Sequence, residues 1–483
     1  DRYVPAMLAR AWDKMTKKYG FVPETPVGIE LYPNREHFAV RTSGLPQTFI
    51  QGVCFGRTLA AMSPKDEHFN IGMTLWHELA HVFHIQLSKS HVPRWFTEGL
   101  AEYETLVERP EWRREYDADL YEALERGTLP QVADMNRSFS HAEDMQDMAT
   151  AYYASTQVVG FIVERYGMPK VRRMLELWGQ GKTTKDVLVQ ALGASPVDID
   201  RDFRAMLSTR LARYRGQFMP PNRPRDVKAA ETIAEAAPGD AEKQAELALA
   251  WLGAGEEKKA KAAIDRALSI DPKLGLALWL RLQFAKTGND RAAAKRAAEA
   301  MIAAGHDGYA VRVALAEATT AKDEQRAALE AAHEFDPLQA APLHRLAELA
   351  RDAKDADGEL KALRALVVLE ENDGDSYRRL LTLLIGRHEL EEARKVGEAA
   401  VYVDAESAET HRLYGEALLA AGQRKEAEFE FESAVLGQGS PAELSASHAR
   451  LAELLESSGD KAAAAPHRKA AAELLRTART GPI

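Results

Sequence analysis

The chain has 483 residues, more than one ordinary domain holds and enough for two or three. With 46% hydrophobic and 28% charged residues it has the balance of a folded globular protein rather than a disordered one. Its 73 acidic residues outnumber 63 basic ones, and the net charge of −10 excludes the basic footprint of a nucleic-acid binder and gives no attraction to anionic lipid. No run of about eighteen apolar residues occurs, so no membrane-spanning helix is expected. The first residue is Asp1 and no charged-then-apolar leader follows it, which reads as a mature form or an excised fragment. Cys54 is the only cysteine, so there is neither an internal disulfide nor a cysteine-based zinc site. Cysteine poverty leans toward an extracytoplasmic location, the bacterial periplasm or cell envelope, with the cytoplasm as the alternative.

Residues 3–19 carry apolar side chains at helical spacing and stop at Gly20. Val27 to Tyr32 alternates as a strand between Pro26 and Pro33, and Asn34 can cap a short helix through Val40. Residues 43–56 are rich in Gly, Pro and Gln and read as loop, and Arg57 to Met62 reads as a second strand. A helix is then expected from about Phe69 to Leu87. Gly72, Trp76, Leu79, Ala80, Phe83 and Leu87 form its apolar stripe, and Thr74, His77, His81 and His84 form another.

Within that helix stands His77-Glu78-Leu79-Ala80-His81, an H-E-x-x-H motif. Residues four apart share a helix face, about 6 Å apart along the axis. Two imidazoles so placed can hold one Zn²⁺ from the same side, and Glu78 is then placed to act as general base on a water. A pair of hydrogen-bonded histidines on a buried helix would read the same way. A third ligand decides between them. A metzincin would need Gly and His where His84 and Leu87 stand, so that completion fails. The other common completion, a glutamate on the next helix, is supplied by Glu98 in Trp95-Phe96-Thr97-Glu98-Gly99-Leu100-Ala101-Glu102-Tyr103. Pro93 can open that helix after the break at Ser88 to His91. His84 reads as a partly exposed helical histidine, with contact to substrate or to a group behind the ligands as the other reading; Cys54 reads as a small buried apolar residue, with approach to the cleft as the other reading.

H-E-L-A-H followed by W-F-T-E-G-L-A-E-Y resembles the gluzincin peptidases, the thermolysin and aminopeptidase clan. The closest likeness is to the bacterial peptidase MA-like domains often joined to tetratricopeptide repeats. The resemblance implies an α+β zincin-like metallopeptidase fold, a small mixed sheet plus helices. It implies that Glu98 binds zinc with His77 and His81, and that Glu102, one turn on, orients His77; Glu102 also reads as a solvated helix carboxylate. It implies that the strand Arg57–Met62 is the sheet edge beside the metal, along which a substrate peptide lies; an ordinary buried strand is the other reading of this stretch. In Tyr152-Tyr153-Ala154-Ser155 it implies a tyrosine that stabilises an oxyanion. Tyr152 is the first candidate and Tyr153 the second, and ordinary helix packing is the other reading of both.

A charged helix is expected over 111–127, loop over 129–140, and the tyrosine-bearing helix over 144–166, stopping at Gly167. Pro169–Trp178, Thr184–Leu192 and Pro196–Tyr214 complete a helical subdomain. Gly181-Lys182-Thr183-Thr184 is not a phosphate loop, because Glu176 stands where the upstream glycine is required. The likeness covers most of residues 1–214, and 215–228 has the Pro- and Arg-rich composition of a linker.

From there the chain repeats. Gly255, Gly288, Gly422 and Gly459 each stand five residues before an alanine, and Asp271-Pro272 and Asp336-Pro337 each close a helix. The step between the first two glycines is close to the ~34 residues of a tetratricopeptide repeat. Residues 229–476 therefore read as an all-α repeat solenoid of six to seven units, with those near 307–337 and 372–405 missing parts of the pattern. Its concave face would serve a protein or peptide partner, or the solenoid is a spacer. The sequence reading is a zinc-dependent peptidase with Glu78 as base, leaning to endopeptidase action on a peptide or protein substrate. The alternatives are a catalytically silent scaffold and a zinc hydrolase of a non-peptide bond.

Overall fold

The computed structural model describes residues 2–44, 50–65, 69–141, 145–221, 226–369 and 372–480. Strand β1 (Gly28–Tyr32) leads into α2 (Arg35–Ser43), after α1 (Val4–Tyr19); β2 (Gly52–Cys54) and β3 (Thr58–Met62) follow. The Asn34 side chain caps α2 by accepting from the His37 N–H. β1 pairs parallel with β3, and β2 pairs antiparallel with β3, so the order is β1-β3-β2. β3 is thus the central strand, which corrects the expectation that Arg57–Met62 forms the edge. The reason lies in its side chains: Leu59, Ala60, Ala61 and Met62 are all buried, so the strand is covered on both faces. The edges are β1 and β2, and β2, the one beside the motif helix, is three residues inside the stretch 43–56 expected as loop; residues 45–49 of that stretch lie outside the described residues.

The motif helix α3 (Ile71–Leu87) starts at Asn70, whose side chain accepts from the Met73 N–H at 2.9 Å. Trp76, Leu79, Ala80 and Phe83 are buried as the apolar stripe demands. Each large side chain so buried is worth about 1.5–3 kcal/mol. Lys89 and Ser90 turn the chain at positive φ, and α4 (Arg94–Glu108) opens after Pro93. Trp112 is buried against Trp76 and Tyr402, ring centroids 6.3 and 6.1 Å away. Trp112 closes a single 3₁₀ turn, Pro110–Trp112, and the α-helix α5 (Asp117–Glu125) starts only after it, later than the expected start at 111. A short helix α6 (Asn136–Ser140) stands in the expected loop 129–140. Then come α7 (Met145–Tyr166), α8 (Met168–Trp178), α9 (Thr184–Val187) and α10 (Pro196–Arg210). α4 and α7 cross closely because Gly99 lacks a side chain. A Cβ built there would lie 2.5 Å from the backbone carbonyl of Ser155.

Beyond residue 240 the described helices form seven antiparallel pairs, from Ala241–Gly253 with Glu257–Ile270 to Pro441–Ser457 with Lys461–Thr480. The degenerate stretches form pairs too: Tyr309–Ala318 with Lys322–Phe335, and Gly374–Gly386 with Leu390–Val403. Alanines at the facing positions, such as Ala245, Ala248, Ala263, Ala267, Ala294 and Ala298, let the paired helices approach.

The chain divides into two compact units, one of Asp1–Thr209 with Leu363–Ile483 and one of Arg210–Ala362. In the first, the late repeats join the N-terminal region directly. The Tyr3 hydroxyl donates to Glu430, Arg109 Nη2 donates to Glu398 at 2.8 Å, and the Asn70 N–H donates to Asn372 Oδ1 at 3.1 Å. In the second, Tyr214, Gln217 and Phe218 bond to Asp336, Phe335 and Asp307. Residues 222–225 of the Pro- and Arg-rich stretch lie outside the described residues. No helix among the described residues is long and apolar enough to cross a membrane.

Candidate metal centre

Helix α3 presents His77 and His81 one turn apart, and α4 runs back to bring Glu98 against both. His77 Nε2 and His81 Nε2 are 3.1 Å apart. Glu98 Oε2 lies 3.4 Å from the first and 3.3 Å from the second. Three donor atoms thus form a nearly equilateral triangle. Tetrahedral ligands on a metal with bonds of ~2.0–2.1 Å stand roughly 3.3 Å from one another, so the donor set fits a zinc ion held from one side. Among the described residues this is the one cluster of His, Cys, Asp or Glu with such spacing.

The outward ring atoms are also held. His81 Nδ1 lies 2.8 Å from Thr97 Oγ1, and His77 Nδ1 lies 3.4 Å from Glu102 Oε1, itself within 3.4 Å of Arg114 Nη1. Both Nε2 atoms are therefore left to face the centre. His84, expected to be partly exposed, is fully buried.

Burial alone would raise the Glu98 carboxyl, but His81 and His77 outweigh it and hold the group well below the usual carboxylate range. Glu78 is buried on the neighbouring face. Burial pushes its carboxyl up to about 8; His81 pulls it down, and Glu98 and Glu102 push it further up. Strand β2 walls this carboxylate. A Cβ on Gly52 would lie 2.7 Å from Glu78 Cγ and Oε1, so only glycine leaves the side chain its present position. Cys54, on the same strand, is half-buried, and burial pushes its thiol up to about 12.

Tyr152 reaches the centre through Arg94. Arg94 Nη2 donates to Tyr152 Oη at 3.2 Å, while Arg94 Nε lies 3.6 Å from Glu98 Oε1. Burial, then the charge of Glu98, pushes the Tyr152 phenol up to about 12, with Arg94 opposing. The neighbouring Tyr153 is buried, and its hydroxyl donates to Asp117 at 2.8 Å, with Glu115 3.2 Å away. His77, His81, Glu98, Glu78, Glu102 and Tyr152 are brought to one locus; Tyr153 is directed elsewhere. Sequence reading missed Thr97, Arg94 and Gly52. Arg94 stands four residues before Glu98, a spacing that signals a helical ion pair; the other two carried no readable sign.

Residues 8–209 match the family model described as the Peptidase MA superfamily. No curated protein matches the chain. Solved structures similar to it include a crystal structure of MamA, 18% identical, covering 33% of this chain and 92% of that one, with a TM-score of 0.30. Another is YrrB, described as a TPR protein with an unusual peptide-binding site, 18% identical over 44% of this chain and 92% of that one, TM-score 0.22. A third is a tetratricopeptide repeat protein from Parabacteroides merdae, 14% identical over 56% and 97% of the two chains, TM-score 0.28.

Proposed function

We propose that the Peptidase MA superfamily domain at residues 8–209 is a zinc-dependent peptidase of gluzincin type with a zincin-like α+β fold. The observation that carries this is the triangle of His77 Nε2, His81 Nε2 and Glu98 Oε2 with sides of 3.1, 3.4 and 3.3 Å. His77, His81 and Glu98 would hold the ion. Bound zinc supplies Lewis acidity, lowering the pKa of a coordinated water toward ~7 and polarising a carbonyl.

Every other part falls to the chain's own side chains. Glu78 takes a proton from the attacking water and delivers it to the leaving amine. Glu102 orients His77. Tyr152 steadies the negative charge that develops on the carbonyl oxygen, with Arg94 holding its hydroxyl in place. The peptide lies along β2, the sheet edge beside Glu78, where main-chain hydrogen bonds align it and Gly52 leaves Glu78 its room. Antiparallel extension of a short edge suits a chain passing through the cleft, which favours endopeptidase action. The repeats serve protein or peptide recognition. Supporting this, residues 210–362 contain a cavity of ≈ 480 Å³ lined by Arg291, Thr319, Lys322, Gln325, Leu329 and Arg345, of mixed apolar and polar character.

The test is cleavage of an unbiased peptide mixture, read by mass spectrometry, by the wild type and Glu78→Gln, with zinc measured in both and in Glu98→Ala. Wild type alone should cut, Glu78→Gln should keep its zinc, and Glu98→Ala should lose it on dialysis. Equal cutting by wild type and Glu78→Gln would reject the assigned base, and full zinc retention by Glu98→Ala would reject the assigned ligand.

A further inference from the structure

Behind His81 runs a chain of buried polar groups that the metal site does not itself require. Thr97 Oγ1 touches two histidines: His81 Nδ1 at 2.8 Å and His84 Nδ1 at 3.3 Å. His84 Nε2 lies 2.9 Å from the Tyr19 hydroxyl, and that hydroxyl lies 2.8 Å from Glu104 Oε1. The other oxygen of Glu104 is paired with the Lys18 ammonium. Tyr19, His84 and Glu104 are all fully or almost fully buried, so water does not supply alternative partners.

The protons along this chain can be assigned from donor and acceptor chemistry alone. A carboxylate only accepts, so the single Tyr19 proton goes to Glu104. The Tyr19 oxygen is then left to accept, and His84 Nε2–H donates to it. A neutral imidazole carries one N–H, so His84 Nδ1 presents a lone pair. His84 is fully buried and its two ring nitrogens face hydroxyls rather than a carboxylate, so no paired carboxylate offsets the cost of a charged ring. Thr97 Oγ1–H therefore donates to His84 Nδ1. The threonine oxygen in turn accepts from His81 Nδ1–H. His81 is left with a bare Nε2, the atom facing His77 and Glu98.

We propose that Lys18, Glu104, Tyr19, His84 and Thr97 form a one-directional hydrogen-bond relay that fixes the tautomer of His81 with its Nε2 lone pair aimed at the metal. The relay deepens the zinc reading given above and rests on it for its purpose, but its direction does not depend on a metal being bound. Thr97 and the groups behind it are positioning residues; they act through His81 and touch no substrate. The device differs from the single carboxylate at His77. There one acid, Glu102, faces Nδ1 directly. Here the anchoring charge lies three side chains away, in α4, and reaches its target through α1 and α3.

The experiment uses the full chain labelled with ¹⁵N-histidine, with long-range ¹⁵N–¹H correlation to read each ring's tautomer and competition against a chelator to read zinc affinity. In wild type His84 should appear as the Nε2–H tautomer, with or without zinc, and zinc-loaded His81 as the Nδ1–H tautomer. Tyr19→Phe should convert His84 to a mixture of tautomers and weaken zinc. Thr97→Val should weaken zinc about 10–100-fold, the usual cost of losing such a partner, and Thr97→Ser should restore it. His84 found as the Nδ1–H tautomer in wild type would overturn the relay, as would wild-type zinc affinity in Thr97→Val. Loss of affinity in Thr97→Ser equal to that in Thr97→Val would overturn it too, since a packing role needs no hydroxyl. A wild type that takes up no zinc but shows His84 as Nε2–H would reject the zinc reading and leave the relay standing. These outcomes separate the two claims even where Tyr19→Phe fails to fold.

Discussion

Gly99→Ala probes the packing that sets Glu98 in place. Gly99 follows Glu98 on α4 and meets α7 at Ser155, where a new methyl would sit 2.5 Å from the carbonyl carbon and oxygen. Ordinary carbon contacts are ~3.5–4.0 Å, so the two helices must separate by about 1 Å. Neither neighbour is a side chain that can swing away. Overpacking of this kind costs about 1–3 kcal/mol, and alanine returns about 0.8–1 kcal/mol of helix propensity. The net is a loss of about 0–2 kcal/mol, or a fall in Tm of at most roughly 8 °C for a domain of this size. The effect on metal should be larger than the effect on stability. Zinc tolerates bond-length errors of only ~0.2 Å, so a shift of about 1 Å in the helix bearing Glu98 should cut affinity at least tenfold by chelator competition. Gly160→Ala on α7 is the control. Nothing lies within 4 Å of its Cβ position, so it should be neutral or slightly stabilising and keep its zinc. A Gly99→Ala protein with wild-type Tm and zinc affinity would refute the close crossing and the argument that it positions Glu98.

Two more expectations concern β2. Gly52→Ala should leave fold and zinc content unchanged but lower kcat at least tenfold with little change in KM, because its methyl displaces Glu78 Cγ and Oε1 rather than any ligand; loss of zinc in this variant would show that Gly52 supports the ligands instead. The Cys54 thiol, pushed up to about 12, should stay protonated through neutral pH and begin to ionise only as pH approaches that value. At pH 8 its thiolate fraction is about 10⁻⁴, so alkylation followed by mass should run roughly a thousandfold slower than for a free cysteine of pKa ≈ 8.5. Rapid modification of the native protein at pH 8 would contradict the buried environment.

Much of this protein is written locally. The H-E-x-x-H pair, the glutamate on the next helix, the Asn34 and Asn70 caps and the repeat period all depend on residues within a few turns of one another. A helix converts such spacing into geometry without help from the rest of the chain. That is why His77 and His81 share a face as the motif spacing demands, and why the degenerate repeats still fold as helix pairs; the turn at Lys89 and Ser90 and the packing at Gly99 then bring Glu98 and Glu102 against them. Tertiary structure alone decided the rest. β3 became central because Leu59 to Met62 found cover on both faces, and β2 became an edge although three residues carry no readable period. His84 became buried because Tyr19, Thr97 and Glu104 close around it from α1 and α4. Only the fold brings Tyr19 and His84 together, across 65 positions of chain. The late repeats joined the unit that holds the metal triad through Tyr3–Glu430, Arg109–Glu398 and Asn70–Asn372, pairs separated by hundreds of residues. No window on the sequence contains both partners of such a contact; burial and hydrogen-bond satisfaction in the folded chain select them.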